Sequence, residues 1–152
     1  MNDSPLPFPM SSDAAVARLA RFYEQLTPED LPLLDRYYAP DARFKDPFNE
    51  VQGVAAIARV FERMFASLHE PRFRVTERVV QDGQAFLIWE FQFRFARWDT
   101  RTTQCIRGAS HLRLDARGLV LQHRDYWDAA EELYEKLPTL GPLMRWLRRS
   151  LG

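Results

Sequence analysis

Residues 85–98 read AFLIWEFQFRFARW, and this stretch decides the fold class. Large apolar side chains alternate in it with polar ones. One face carries the apolar residues Leu87, Trp89, Phe91, Phe93 and Phe95, and the other carries the polar residues Glu90, Gln92 and Arg94. A period of two residues is typical of a β-strand with one buried face. The stretch therefore predicts a long strand whose rings face a core.

Further strands flank this one on both sides. The same period predicts strands at 73–80, 102–115 and 119–127, and Asp82-Gly83 is a hairpin signal between the first two strands. Short connections between successive strands favour antiparallel neighbours. We therefore expect a four-strand antiparallel meander in the second half of the chain.

Helices precede the strands. Apolar residues spaced by three and four predict a helix that Ser12-Asp13 can cap, a second one with Thr27 as N-cap and Pro28 at its first position, and a third after Gly53. Helices followed by strands indicate an α+β fold rather than an α/β fold. We expect a curved antiparallel sheet packed with N-terminal helices around a pocket. The predicted organisation is a flexible arm (1–12), a pocket domain (13–128) and a C-terminal helical extension (129–152) that packs on the domain or on a dimer.

Composition excludes several classes of function. Lys plus Arg and Asp plus Glu number 21 each, so no net charge attracts nucleic acid. The single cysteine, Cys105, excludes an internal disulfide framework and a cysteine zinc site, and the histidines lack metal spacing. We expect no metal and no cofactor.

Aromatic residues make up 13% of the chain, and rings on a curved sheet tend to shape an apolar cavity.

The ends of the chain indicate a cytoplasmic location. The first ten residues lack the basic region of a signal peptide, and no segment is long and apolar enough to span a bilayer. Residues 143–151 predict a basic amphipathic helix with Leu143 and Leu147 on one side. Because it is short, we expect it to cover the pocket or pack on a partner rather than contact a membrane.

The stretch Tyr38–Pro47, YAPDARFKDP, followed by Gly53 and a helix, resembles the SnoaL-like branch of the nuclear-transport-factor-2-like superfamily. The likeness covers residues 13–128. It implies a cone-shaped pocket, in a superfamily that includes ketosteroid isomerase, scytalone dehydratase and polyketide cyclases and also many members that catalyse nothing.

The resemblance to ketosteroid isomerase is incomplete at the residue level. The isomerase general base falls on Asp46, directly before a proline. Its tyrosine oxyanion donor falls on Phe22, with Tyr23 one place along the helix, and its protonated aspartate falls on Ser110. Since the loss of one such donor costs about 10²–10³ in rate, the resemblance argues against a ketosteroid isomerase proper.

The last strand carries a second group of candidates. Alternation places Leu119, Leu121, His123, Asp125 and Trp127 on one face, and the two leucines indicate that this face points inward. A carboxylate beside an imidazole in a pocket suits proton transfer near neutral pH. Structural roles stay open for these residues: His123 and Asp125 can hydrogen-bond each other or pair with Arg107 or Arg113, and Asp46 can cap a turn.

The sequence thus predicts an enzyme of the isomerase, cyclase or dehydratase kind that acts on a small apolar molecule by carboxylate acid–base chemistry. The alternatives are a non-catalytic small-molecule-binding module of the same fold and an interaction protein that docks a partner. We expect a homodimer. The candidate catalytic residues are Asp46, His123 and Asp125; the candidate substrate-binding residues are Tyr23, Tyr38, Phe44, Phe61, Trp89, Ser110 and Trp127.

Overall fold

The computed structural model describes residues 11–97, 99–134 and 140–151. A 3-10 helix spans Pro28–Arg36, and the α-helices are α1 (Ser12–Gln25), α2 (Val54–Ser67), α3 (Ala129–Glu132) and α4 (Leu140–Leu151). The strands are β1 (Tyr38–Lys45), β2 (Glu50–Gln52), β3 (Leu68–Gln81), β4 (Gln84–Phe95), β5 (Gln104–Leu114) and β6 (Val120–Tyr126). Helices and a curved sheet in this order confirm the predicted α+β class.

The starts of the first two helices follow local signals in the sequence. The cap of α1 is Ser11 rather than the predicted Ser12-Asp13: its side chain accepts a hydrogen bond from the Ala14 N–H. Thr27 caps the second helix, in which the Asp30 carboxylate reaches back to the Thr27 N–H. That helix is of the 3-10 type; the sequence predicted a helix there but not its type. Pro32 inside it lacks the N–H that an α-helical bond requires.

The sheet has six strands in the order β2-β1-β6-β5-β4-β3. Strands β3 to β6 form the predicted antiparallel meander, and Asp82 and Gly83 turn the β3–β4 hairpin with φ of 50° and 75°. Strand β1 pairs with β6 in parallel, and the short β2 extends the edge. The sequence did not predict β2 or the parallel pairing.

A bulge in β6 corrects one prediction about its faces. Leu114 pairs with Val120 but Arg113 pairs with Gln122, so β6 carries one extra residue at Leu121. Leu121 is therefore 40% exposed while Val120 is buried, and the prediction that Leu121 points inward was wrong. Beyond the bulge His123 is buried, on the predicted inward face.

The core lies between the curved sheet and helices α1 and α2. Val16 and Leu19 of α1 and Ile57 of α2 are almost fully buried, as are Leu87 and Leu112 of the sheet. Each such side chain stabilises the fold by about 1.5–3 kcal/mol through burial. This packing fixes the helices over one face of the sheet, where the pocket was predicted.

Gly108 allows Trp89 to lie against the neighbouring strand, and a methyl group there is expected to destabilise the fold. A Cβ at this position would lie 2.6 Å from Cη2 of Trp89 and 2.9 Å from the Tyr126 carbonyl oxygen. We expect Gly108→Ala to lower the free energy of unfolding by about 1–3 kcal/mol, because the ring and the backbone must both shift. Urea denaturation measures this. Ala109→Ser, on the opposite face of β5, is the matched control; similar midpoints for the two variants would contradict the close contact.

The C-terminal helix α4 is longer than the predicted 143–151, and it leaves Leu143 and Trp146 more than half exposed. Its role against the domain, a partner or a dimer stays a prediction. The predicted arm lies almost wholly outside the described residues, as do 135–139 of the extension. No helix in the described part of the chain is long and apolar enough to cross a membrane.

Candidate functional site

A row of hydrogen-bonded polar side chains, here called the polar chain, runs through the core. The Tyr38 hydroxyl lies 2.7 Å from Nδ1 of His123, and the Tyr23 hydroxyl lies 3.1 Å from the same nitrogen. The two hydroxyls are also hydrogen-bonded to each other. On the other side of the ring, Nε2 of His123 lies 2.7 Å from Oδ1 of Asp125. Residues far apart in sequence thus meet at one imidazole.

The polar chain continues into the neighbouring strands. Ser110, which lies opposite Asp125 in the β5–β6 pair, donates its hydroxyl to Oδ1 of Asp125 at 2.5 Å. The Trp89 indole Nε1–H donates to the Ser110 oxygen at 2.8 Å. Side chains from helix α1 and strands β1, β4, β5 and β6 therefore hold the carboxylate of Asp125 in place, either directly or through His123 and Ser110.

The hydrogen-bond partners of His123 determine which of its ring nitrogens carries a proton. A carboxylate only accepts hydrogen bonds, so Nε2 of His123 is the donor in its bond to Oδ1 of Asp125, and the tautomer with this proton leaves Nδ1 as an acceptor. Burial raises the pKa of both Tyr23 and Tyr38, and the negative charge of Asp125 adds to the shift. Both hydroxyls therefore keep their protons. Since one hydroxyl donates to the other, one proton remains for the single lone pair of Nδ1. His123 is held as a donor to Asp125.

Asp125 uses one oxygen for the polar chain and leaves the other open. Its hydrogen bonds from Ser110 and His123 both end on Oδ1, and no described residue donates one to Oδ2. The side chain is 18% exposed, against 4% for His123, and it lines the cavity. Oδ2 can therefore accept a proton or a hydrogen bond from a molecule bound there.

The cavity is a largely apolar space of about 340 Å³ between α2 and the sheet. This volume lies within the usual range of small-molecule sites. Five polar side chains are in its lining: Asp46, Asn49, Arg63, Ser67 and Asp125. The exposed Arg63 and Ser67 mark its mouth, where Asp46 and Asn49 also lie. Aromatic side chains form much of the wall: Phe44, Phe48, Phe61, Phe73, Trp89, Phe91, Phe93, Phe95 and Trp127.

Asp46 caps a turn at the cavity mouth. Its Oδ1 accepts the backbone N–H groups of Phe48 at 2.7 Å and Asn49 at 2.6 Å, and the Asn49 side-chain amide donates to both carboxylate oxygens at 3.0 Å. This is the structural role that the sequence left open for an aspartate before a proline. The catalytic role of Asp46 stays a prediction.

Comparison with known families agrees with this architecture. The model of the SnoaL-like domain family matches residues 19–123. The chain belongs to the SnoaL-like family. No curated protein matches this SnoaL-like protein in sequence.

Solved structures share the fold of this SnoaL-like protein at low sequence identity. A Burkholderia pseudomallei NTF2-like protein of unknown function has a TM-score of 0.68 at 17% identity, covering 80% of this chain and 95% of its own. A hypothetical Catenulispora acidiphila protein of ketosteroid isomerase-like fold, in complex with trimethylamine, has a TM-score of 0.67 at 16% identity over 81% and 92%. A Shewanella putrefaciens protein proposed to be a SnoaL-like polyketide cyclase has a TM-score of 0.66 at 18% identity over 82% and 97%.

The predicted site residues of this SnoaL-like protein fall into two groups. The cavity is lined by Phe44, Asp46, Phe61, Trp89, Asp125 and Trp127. Behind its wall, in the polar chain, lie Tyr23, Tyr38, Ser110 and His123. Arg107 is paired with Glu132 rather than with Asp125.

The cavity lining also includes residues that were not predicted as site residues, among them the polar Asn49 and Arg63. Asn49 gave no signal, because its role depends on the turn that Asp46 caps. Arg63 stands two places after Phe61 in α2, where a polar residue on an amphipathic helix ordinarily faces solvent. Among the described residues no three His, Cys, Asp or Glu side chains are grouped as metal ligands.

A second histidine, His111, lies on the outer face of the sheet. His111 stacks on Phe86 with ring centroids 4.5 Å apart, and its Nε2 lies 3.0 Å from Oε1 of Gln84. Burial and the nearby Arg113 lower the pKa of His111. Phe86 is 41% exposed. Homodimer formation stays a prediction.

Proposed function

We propose that this SnoaL-like protein is a cofactor-free enzyme that removes a proton from a carbon atom of a small apolar molecule, with Asp125 as the base. The proposal is carried by one observation: the two oxygens of the Asp125 carboxylate differ in their hydrogen bonds. Oδ1 accepts hydrogen bonds from Ser110 and His123, no described residue donates one to Oδ2, and Asp125 lines an apolar cavity. A carboxylate oxygen that is left without a donor at such a cavity supports Asp125 as a general base.

The step uses only groups that the cavity supplies. Oδ2 of Asp125 takes a proton from a C–H beside a carbonyl, and the C–H electron pair moves into the carbonyl to form an enolate. Return of the proton from Asp125 to another carbon of the enolate gives an isomer. Alternatively, the enolate carbon attacks a second carbonyl and closes a ring, and the alkoxide formed there takes the proton back from Asp125. The fold shared with a proposed polyketide cyclase supports the second outcome.

His123 acts on Asp125 rather than on the bound molecule. Its Nδ1 faces two tyrosine hydroxyls and its Nε2 faces Oδ1, so both ring nitrogens are occupied.

Asp46 is the other carboxylate in the cavity wall, and its oxygens accept four hydrogen bonds in the turn. Of these two carboxylates, Asp125 is the one with an oxygen free of such bonds.

A substrate that reports only on the base tests the proposal. In 5-nitrobenzisoxazole a base removes the ring C–H proton, the N–O bond breaks, and a nitrile and a coloured phenolate form. We expect a second-order rate constant about 10²–10⁴ times that of acetate at the same pH, because the base is positioned beside the bound ring. The rate should saturate with substrate and fall when neutral 2-naphthamide competes for the cavity.

Two outcomes of this assay count against the enzyme. A rate constant equal to that of acetate overturns the proposal. Binding of 2-naphthamide without any acceleration favours the alternative, a non-catalytic binding module of the same fold.

A further inference from the structure

Arg63 is a cation in the cavity lining that has no acidic partner within the described ranges 11–97, 99–134 and 140–151. It lies on α2, is exposed, and lines the cavity beside Asn49. Its Nη2 donates to Oδ1 of Asn49 at 3.1 Å, and no described carboxylate lies within 4.0 Å of its guanidinium. A guanidinium has five N–H donors in a planar fork, so most of them remain for a ligand.

The turn beneath Arg63 holds this cation in place. Asn49 donates its side-chain amide to both oxygens of Asp46, and this leaves its carbonyl oxygen directed at Arg63. The half-buried Asn49 is fixed by its backbone as well, because its N–H also bonds to Asp46. A guanidinium that is already restrained loses less side-chain freedom when it binds a ligand.

Three charged side chains line the cavity, and they favour one orientation of an anionic molecule. The carboxylates of Asp125 and Asp46 repel a second negative charge, and Asp46 already accepts four hydrogen bonds in its turn. Arg63 attracts an anion and can bind it through two parallel hydrogen bonds, while the aromatic side chains of the lining suit an apolar body. We infer that the cavity takes a small apolar carboxylic acid, bound as the anion with its carboxylate on Arg63. The placement of its reacting carbon at Asp125 rests on the proposed function.

Two probes that share a naphthalene ring and differ in charge separate the contribution of charge to binding affinity from that of shape. Trp89 and Trp127 line the cavity, so quenching of tryptophan fluorescence reports binding of 2-naphthoate and of its neutral analogue 2-naphthamide. We expect the wild-type protein to bind 2-naphthoate about tenfold or more tightly than 2-naphthamide. Arg63→Gln should weaken 2-naphthoate by about tenfold or more and change 2-naphthamide by less than about twofold.

Arg59→Gln is the matched control. Arg59 is also exposed on α2, but it borders a separate surface depression beside Gly53 rather than the cavity. It removes the same charge from the same helix, so it should leave the affinity for 2-naphthoate within about twofold. Equal losses in the two variants would assign the effect to net charge alone and overturn the site.

Other outcomes are equally decisive. Unchanged 2-naphthoate affinity in Arg63→Gln overturns the inference, as does an equal loss for both probes. The test is independent of the neutral substrate 5-nitrobenzisoxazole. A protein that discriminates the probes but does not accelerate elimination keeps the carboxylate site and loses the proposed function, and the reverse pattern removes only the carboxylate site.

Discussion

Asp125→Asn is expected to lower kcat/KM for 5-nitrobenzisoxazole by about 10²-fold or more, down to the level of the remaining weak bases. The amide that replaces the carboxylate still offers an oxygen to Ser110 and His123, so the polar chain keeps its shape. What it lacks is an atom basic enough to take the proton. Absorbance of the phenolate product measures the rate, and urea denaturation checks that the variant is folded.

Asp46→Asn is the matched comparison, since Asp46 is the other carboxylate that lines the cavity. Its charge is held in the turn by Phe48 and Asn49, so we expect a loss of less than about tenfold. The two variants thus distinguish the two aspartates that the sequence singled out. A large loss for Asp46→Asn with a small loss for Asp125→Asn would reverse the assignment and make Asp46 the base.

Local patterns were sufficient to predict most of the elements. The alternation in 85–98 gave β4, apolar spacing gave α1 and α2, and Asp82-Gly83 gave the hairpin, because each signal lies within a few residues. The SnoaL-like resemblance carried by Tyr38–Pro47 was confirmed by the match over 19–123. The parallel pairing of β1 with β6 was not predicted, since it joins strands some 80 residues apart and depends on the whole sheet.

The bulge at Leu121 shows how a local pattern can lead to a correct result from an incorrect premise. The leucines were taken to define the inward face of β6, yet the extra residue turns Leu121 outward and Val120 inward. His123 and Asp125 come after the bulge, so their predicted face was right although the argument from Leu121 was not. A bulge is set by pairing with neighbouring strands, which strand periodicity does not contain.

The sequence predicted residues of the candidate site better than the hydrogen bonds between them. Asp125 and His123 were both named as candidates, but the hydrogen bonds from His123 to Tyr23 and Tyr38 were not predicted. These contacts join residues 85 and 100 positions apart, so they follow from packing rather than from local sequence. The two tyrosines were expected to touch substrate. In the structure their hydroxyls bond to His123 behind the cavity wall instead.

Alkaline pH is expected to destabilise the fold through these two tyrosines. Burial, together with the charge of Asp125, raises the pKa of Tyr23 and Tyr38 above the ordinary value of about 10. Above pH 10 the unfolded chain therefore releases both protons while the folded protein keeps them. Because the folded state then binds more protons, its stability falls as pH rises, by as much as about 1.4 kcal/mol per pH unit for each tyrosine.

Phenylalanine variants isolate this contribution. Tyr23→Phe and Tyr38→Phe should each reduce the slope of unfolding free energy against pH above 10 by up to about 1.4 kcal/mol per unit, measured by urea denaturation from pH 8 to 11. Tyr126→Phe, on the exposed outer face, should leave the slope unchanged. Lysines add little background, since Lys45 and Lys136 are the only ones in the chain.

The same measurement tests how His123 is oriented. Each tyrosine hydroxyl lies within hydrogen-bond distance of Nδ1, so either single variant leaves one donor in place and should cost only about 1 kcal/mol at pH 8. The double variant removes both donors and leaves a buried acceptor unpaired, so its loss should exceed the sum of the single losses. Additive losses together with an unchanged alkaline slope would show that the tyrosines do not hold His123 toward Asp125.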